Sequence, residues 1–126
     1  MVKLNNIVNK DFLSSVDLST QEIKQILELA ENFKNKDSNI LNNNKVLGLI
    51  FDKSSTRTRV SFQVAMSRLG GTTIDLNPST SQIGRGEPIK DTARVLSSYC
   101  DVLAVRTFNH SDLEEYAKWS TKPVIN

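Results

Sequence analysis

Apolar positions recur along this chain with a helical period in some segments and as short β-rich runs in others. Ile23, Ile26, Leu27, Ala30 and Phe33 fall on one helical stripe. Ser19 and Glu22 ahead of them have the spacing of a capping box, and Leu18 and Ile23 that of a hydrophobic staple. Asn35 to Asn44 is polar and Asn/Lys-rich, a surface connection. Val46 to Phe51 is an apolar, β-rich run that predicts a strand, and Val60, Val64, Ala65, Met66 and Leu69 predict a helix over 56–69, stopped by Gly70-Gly71. A strand follows over 72–76, then a loop from Asn77 to Glu87 that holds Pro78, Gly84 and Gly86 and is long enough to expect a function. Pro88 suits the first position of the next helix, with Ile89, Ala93, Leu96 and Tyr99 on its inner face. A strand over 102–106 comes next. Ser111 and Glu114 repeat the capping-box spacing and open a short helix with Leu113, Tyr116 and Ala117, and Val124-Ile125 begins a last strand.

Strands alternating with helices predict an α/β fold: a parallel sheet with right-handed crossovers and helices on both faces, three layers in all. At 126 residues the chain is one domain, with room for a real core but small for an enzyme of two substrates. Ligands of such sheets sit beyond the carboxyl ends of the strands. Residue 55, after the first long strand, and Arg106, closing the third, both fall there. That puts Arg106 beside the helix that starts at residue 56.

The start of that helix breaks a rule. Helix N-termini carry partial positive charge and favour Asp or Glu, yet here stand Arg57 and Arg59, with no acid between Asp52 and Asp75. Ser54, Ser55, Thr56 and Thr58 surround them. Free backbone N–H groups, hydroxyls and a guanidinium at one helix terminus make a phosphate site. The plain alternative is a serine cap followed by two solvated arginines. The density of donors and the lack of acids favour the anion site.

Competing chemistries find little support. A net charge of +2 implies no broad polyanion-binding surface, and Trp119, Tyr99 and Tyr116 do not interleave with a basic patch, so no nucleic acid partner is expected. One cysteine excludes an internal disulfide pair, and Cys100 reads as a small apolar core residue. With one His beside it, a zinc site within one chain is not expected either. No Gly-x-x-x-x-Gly-Lys-Ser/Thr occurs, and Gly84-Arg85-Gly86 follows a loop rather than a strand. His110 reads as a surface or capping residue, and Asp112, Glu114 and Glu115 as a helix start. The amino terminus shows no signal peptide or membrane span, which makes the cytoplasm the expected compartment.

The segment Lys53-Ser54-Ser55-Thr56-Arg57-Thr58-Arg59-Val60-Ser61-Phe62 resembles the carbamoyl-phosphate signature of the aspartate and ornithine carbamoyltransferases. Ser81-Gln82-Ile83-Gly84-Arg85-Gly86-Glu87-Pro88 through Leu96 resembles the ornithine branch, as do Val105-Arg106-Thr107-Phe108 with His110, and Lys122-Pro123-Val124-Ile125-Asn126. The blocks keep the family's order and spacing over nearly the whole chain. The resemblance implies carbamoyl transfer from carbamoyl phosphate to ornithine, giving citrulline and phosphate, in arginine biosynthesis. Such a reaction builds charge on the carbonyl oxygen and the departing phosphate, so the site needs preorganised donors more than a nucleophile. Ser55, Thr56, Arg57 and Thr58 would hold phosphate, and Thr58 and Arg106 would be shared with the carbonyl oxygen. Arg57, Thr58 and Arg106 are thus the expected catalytic residues. Gln82 would reach the site of a neighbouring subunit in a homotrimer.

The family uses no cofactor or metal that this reading requires. Its His-Pro-x-Gln motif and its amino-acid domain do not occur in these 126 residues, so the chain is expected to be the carbamoyl-phosphate half, truncated before the second domain and inactive alone. Gln63 stands where the family usually has Glu, which would reduce a supporting ion pair to a neutral hydrogen bond. Two alternatives stay open: a transcarbamylase for another amine, such as putrescine or an acetylated ornithine, and a non-catalytic anion-binding or assembly module.

Overall fold

The computed structural model describes residues 7–35 and 44–126. The chain runs α1 (Thr20–Lys34), β1 (Val46–Phe51), α2 (Thr56–Leu69), β2 (Thr72–Leu76), α3 (Ile89–Tyr99), β3 (Val102–Arg106), α4 (His110–Trp119) and β4 (Val124–Ile125). Short 3-10 turns occupy Ser15–Asp17 and Gln82–Arg85. Most of the expected connection between Asn35 and Asn44 lies outside the described residues.

All four strands are parallel, in the order β2-β1-β3-β4. Successive side chains of a strand point to opposite faces, and β1 divides accordingly. Leu47, Leu49 and Phe51 pack with Ala104 under Phe62 and Met66 of α2. Ile50 packs on the other face with Leu103 and Val105, under Ala93 of α3 and Leu113 and Tyr116 of α4. Leu49, Ile50 and Leu103 are completely buried, and each such side chain contributes about 1.5–3 kcal/mol of transfer free energy. Three layers result, as the alternation of elements predicts. Cys100 is a buried member of the α3/α4 core, in keeping with its apolar reading.

The capping box of α1 forms as its spacing predicts: Ser19 Oγ accepts from the Glu22 N–H, and Glu22 accepts from the Ser19 N–H. Elsewhere the helix faces need correction. Val60 and Val64 are 49% and 44% exposed, whereas Met66 of the same stripe packs inward as expected and Phe62 joins it. Tyr99 is 71% exposed, whereas Thr92 and Ser97 are buried. Both polar residues are paired: Thr92 donates to Glu87, and Ser97 Oγ donates to the Arg94 carbonyl and accepts from the Thr121 N–H. Local hydrogen bonds replace the apolar side chain that the inner face would otherwise demand. The fourth helix begins one residue before Ser111, with Asn109 as its cap residue. Pro88 likewise precedes α3, where its carbonyl accepts from the Asp91 and Thr92 N–H groups.

Two further contacts unite distant segments. The Phe12 backbone bridges Ile125, while Asp11 accepts from the Val124 N–H, so the amino-terminal segment lies along β4. Trp119 collects Lys90, Arg94 and Lys118, with their charged groups 4.5, 4.7 and 5.3 Å from its ring centre. Trp119 thus meets basic residues in the fold although the sequence shows no basic patch interleaved with aromatics. Packing of α3 beside α4 brings together cations that are far apart in sequence.

Arg59 braces α2 to the sheet. Its guanidinium lies 3.0 Å from the Asp75 carboxylate on β2 and 5.5 Å from the Phe51 ring. Gln63 donates to the same carboxylate at 3.4 Å. The acid that answers Arg59 thus comes from β2, and Gln63 supports it with the neutral bond expected of its amide.

Gly48 sits in β1 against α3, where an added Cβ would lie 2.9 Å from Leu103 and 3.0 Å from the Cys100 sulfur. Gly48→Ala should overpack this face and destabilise the fold by about 1–3 kcal/mol, measured by denaturant unfolding; an unchanged midpoint would show that the core yields there. Arg59→Ala should cost about 1 kcal/mol by the same assay, since it removes a half-exposed ion pair and a cation–π contact.

Candidate functional site

The order of the sheet sets where a ligand can enter. From β1 the chain moves to one side to form β2 and then returns to the other side for β3. Such a reversal opens a crevice at the carboxyl ends of the two strands it separates. Phe51 and Arg106 are register partners at that end, and the Asp52 N–H donates to the Arg106 carbonyl at 2.8 Å. This bond keeps the loop after β1 aligned with the end of β3.

Beyond Phe51 the chain turns through Asp52 to Ser55 into α2. Ser55 is the cap residue, yet its side chain makes no capping hydrogen bond, and the first turn holds no acid. The first-turn N–H groups of a helix have no partner within it. Here no serine or carboxylate among the described residues satisfies them, unlike the paired cap of α1. The plain alternative of a serine-capped helix is therefore not what the fold builds.

An open cleft of about 490 Å³ lies against this terminus. Lys53, Ser54, Ser55 and Thr56 line one side, and Asn77 and Ser79 the other. A second depression of about 350 Å³ is lined by Thr58, Phe62, Arg106 and Asn126. Phe51 lines both. The expected residues thus divide: Ser55 and Thr56 share the first cleft, and Thr58 and Arg106 the second. Arg57 lines neither; it is exposed on the first turn of α2 and makes no ion pair among the described residues. Gln82 is also exposed and lines neither.

The loop after β2 is more structured than its composition suggests. Asn77 accepts from the N–H and hydroxyl of Ser79, and the Thr80 N–H bonds back to the Asn77 carbonyl. An added Cβ on Gly84 would sit 1.8 Å from the Pro78 oxygen, so the loop closes on itself where only glycine fits. Ile83 packs against the α3/α4 core. That one apolar side chain anchors the loop, while Gln82 stays exposed. Ser81 Oγ is buried without a hydrogen-bond partner.

Three contributors escape a sequence reading. Asn77 and Ser79 form the far wall of the cleft. Asp52 also lines the cleft, and burial, with Asp112 nearby, pushes its carboxyl above the usual range. The same acids, together with burial foremost, push the Tyr116 phenol up. Asp52 carries a sequence signal only in being the last acid before a long acid-free stretch. Asn77 and Ser79 carry the ordinary signal of a turn. His110 is exposed and lies 3.8 Å from Glu114, a surface residue as expected. Among the described residues, no helix is long and apolar enough to cross a membrane.

Comparison with known proteins agrees with this geometry. Residues 10–126 match the family model of the aspartate/ornithine carbamoyltransferase, carbamoyl-P binding domain. An ornithine carbamoyltransferase of Prochlorococcus marinus (strain MIT 9312) is 80% identical over 126 residues, which is 100% of this chain and 41% of that protein. That of Nostoc punctiforme is 53% identical over 120 residues, covering 95% of this chain and 39% of the relative. Among solved structures, ornithine carbamoyltransferase from Pyrococcus furiosus superposes with a TM-score of 0.87 at 47% identity, over 95% of this chain and 40% of that one. Aspartate transcarbamoylase from Trypanosoma cruzi in complex with carbamoyl phosphate and aspartate gives 0.85 at 31% identity, over 94% and 40%. This chain therefore spans about 40% of the length of the relatives it matches. With a helix terminus left open to an anion at the reversal point of a parallel sheet, and that match over residues 10–126, the chain belongs to the aspartate/ornithine carbamoyltransferase family, as its carbamoyl-phosphate-binding domain.

Proposed function

We propose that this chain is the carbamoyl-phosphate half of an ornithine carbamoyltransferase, with the amino-acid domain supplied by further polypeptide of the same protein. The observation that carries the reading is the uncapped, acid-free start of α2 beside Arg106. The name shared by relatives at 80% and 77% identity favours ornithine over other amines.

In this reading the first-turn N–H groups, Ser55 and Thr56 receive the phosphate, and the exposed Arg57 folds over it. Thr58 and Arg106 face the carbamoyl oxygen. The ornithine side-chain amine attacks the carbonyl carbon, its bond to the phosphate oxygen breaks, and citrulline and inorganic phosphate leave. The chain's contribution is charge stabilisation on both oxygens by donors already in place. No group of this chain acts as nucleophile. Gln82, held outward by Ile83, serves carbamoyl phosphate in a neighbouring subunit of a homotrimer. The setting is arginine biosynthesis in the cytoplasm.

Calorimetry with carbamoyl phosphate tests the binding half of the proposal. The unaltered protein should bind it, and Arg57→Ala should lose roughly 1.5–3 kcal/mol of affinity with the charge-assisted fork. Equal affinity in the two would overturn the anion-site assignment.

Sharing between subunits is tested in the intact enzyme. Gln82→Ala and Arg57→Ala should each abolish most activity, and mixing the two variants should restore part of it. Some mixed sites would then join an intact Arg57 of one chain to an intact Gln82 of another. No recovery after verified subunit exchange would place the action of Gln82 within its own chain, or nowhere.

A further inference from the structure

The cations gathered on Trp119 take no part in either cleft. Lys90 and Arg94 of α3 and Lys118 of α4 hold their charges 4.5, 4.7 and 5.3 Å from the centre of one half-buried indole. That ring packs on the α3/α4 core, across the sheet from α2. None of the four residues lines the cleft at the start of α2 or the depression beside Arg106. Charges this near one centre lie within about a Debye length of one another, roughly 8–10 Å at physiological salt, so the three repel. Among the described residues none of them makes an ion pair, and neither Asp91 on α3 nor Glu115 on α4 closes on them.

Helix ends account for only part of this arrangement. Lys118 stands in the last turn of α4, where a cation is favoured. Lys90 stands in the first turn of α3, where the partial charge of the helix has its own sign. It is also half-buried, so its ammonium has lost water without gaining a carboxylate. A ring face attracts a cation but does not neutralise it. The indole therefore holds the three charges together while leaving them uncompensated. A single carboxylate would answer one of them, whereas a chain of linked phosphates presents several charges in a comparable volume. We propose that Lys90, Arg94 and Lys118, with Trp119 as their platform, form a second anion site for a small polyphosphate-bearing ligand. A triad confined to one ring agrees with a net charge of +2, which argues only against a broad polyanion surface. The inference is independent of the carbamoyl-phosphate reading.

The test is calorimetry on the intact protein with inorganic tripolyphosphate at low salt. Tripolyphosphate should bind, and its affinity should fall as salt is raised. Lys90→Gln and Arg94→Gln should each weaken it by about tenfold and leave carbamoyl phosphate binding unchanged. Trp119→Leu should weaken it by about two- to fivefold. Arg57→Ala should retain it. Tryptophan fluorescence should change on adding tripolyphosphate, and Trp119→Phe should remove that response. A nucleoside triphosphate that bound more tightly than tripolyphosphate would support the site with a nucleotide as the source of the phosphates; equal binding would support it with the bare phosphate chain. Full affinity in both Lys90→Gln and Arg94→Gln would overturn the proposal. Loss of binding in Arg57→Ala alone would overturn it too, by moving the ligand to the cleft at α2. If the unaltered protein bound no tripolyphosphate, the triad would be a packing device and the proposal would fall, with the proposed function still standing.

Discussion

The cleft depends on β1 being hydrogen-bonded along both edges. A strand paired with β2 on one side and β3 on the other has no freedom to shift in register. Its two faces are also filled, by α2 on one side and by α3 and α4 on the other. Everything that follows Phe51 is therefore launched from a fixed point in a fixed direction. The loop from Asp52 to Ser55 can leave polar groups unpaired only because the strand before it is held so firmly. On α1 the same kind of group is satisfied at once by the Ser19–Glu22 box.

The two arginines of α2 illustrate how the sheet sorts residues of like type. Arg59 points back to β2, where Asp75 and the Phe51 ring hold it. Arg57, two positions earlier and about 200° around the helix, is left at the surface without an acid among the described residues. One guanidinium holds the fold, and the other is the one assigned to the ligand in the proposed function. Ile83 makes a comparable division in the next loop, since its burial turns the adjacent Gln82 outward.

Much of this was legible in the residues themselves. The strands at 46–51 and 102–106 match their apolar runs, because a buried parallel strand needs little beyond such a run and a break, whereas β2 (Thr72–Leu76) is a mostly exposed edge strand. The acid-free helix start was visible as a breach of electrostatic preference. What stayed hidden depends on contacts between distant segments. Met66 of the expected stripe does face inward, but Val60 and Val64 do not, and Phe62 packs beside Met66 over Phe51 and Leu49. Thr92 and Ser97 are polar, so a hydrophobic pattern passes over them, yet hydrogen bonds to Glu87 and from Thr121 make them core residues. The meeting of Lys53 with Phe108, and of Trp119 with Lys90 and Arg94, exists only once the helices and loops are assembled.

The seam between Asp11–Phe12 and Val124–Ile125 joins positions 113 residues apart. Contacts of such separation close late and slow a fold down, because the entropy of the intervening loop must be lost before they repay it. On the ribosome, the first of these segments emerges long before its partner does. For that interval its backbone donors and acceptors have only water, a chaperone or a wrong strand to pair with. The edge of β3 that awaits β4 is open over the same interval. The central strands can associate as soon as β3 emerges, but β3 gains its pairing with β4 only when residue 125 is free to move. Birth of this domain is thus a two-stage event, with a short period in which an exposed border invites pairing with another nascent chain.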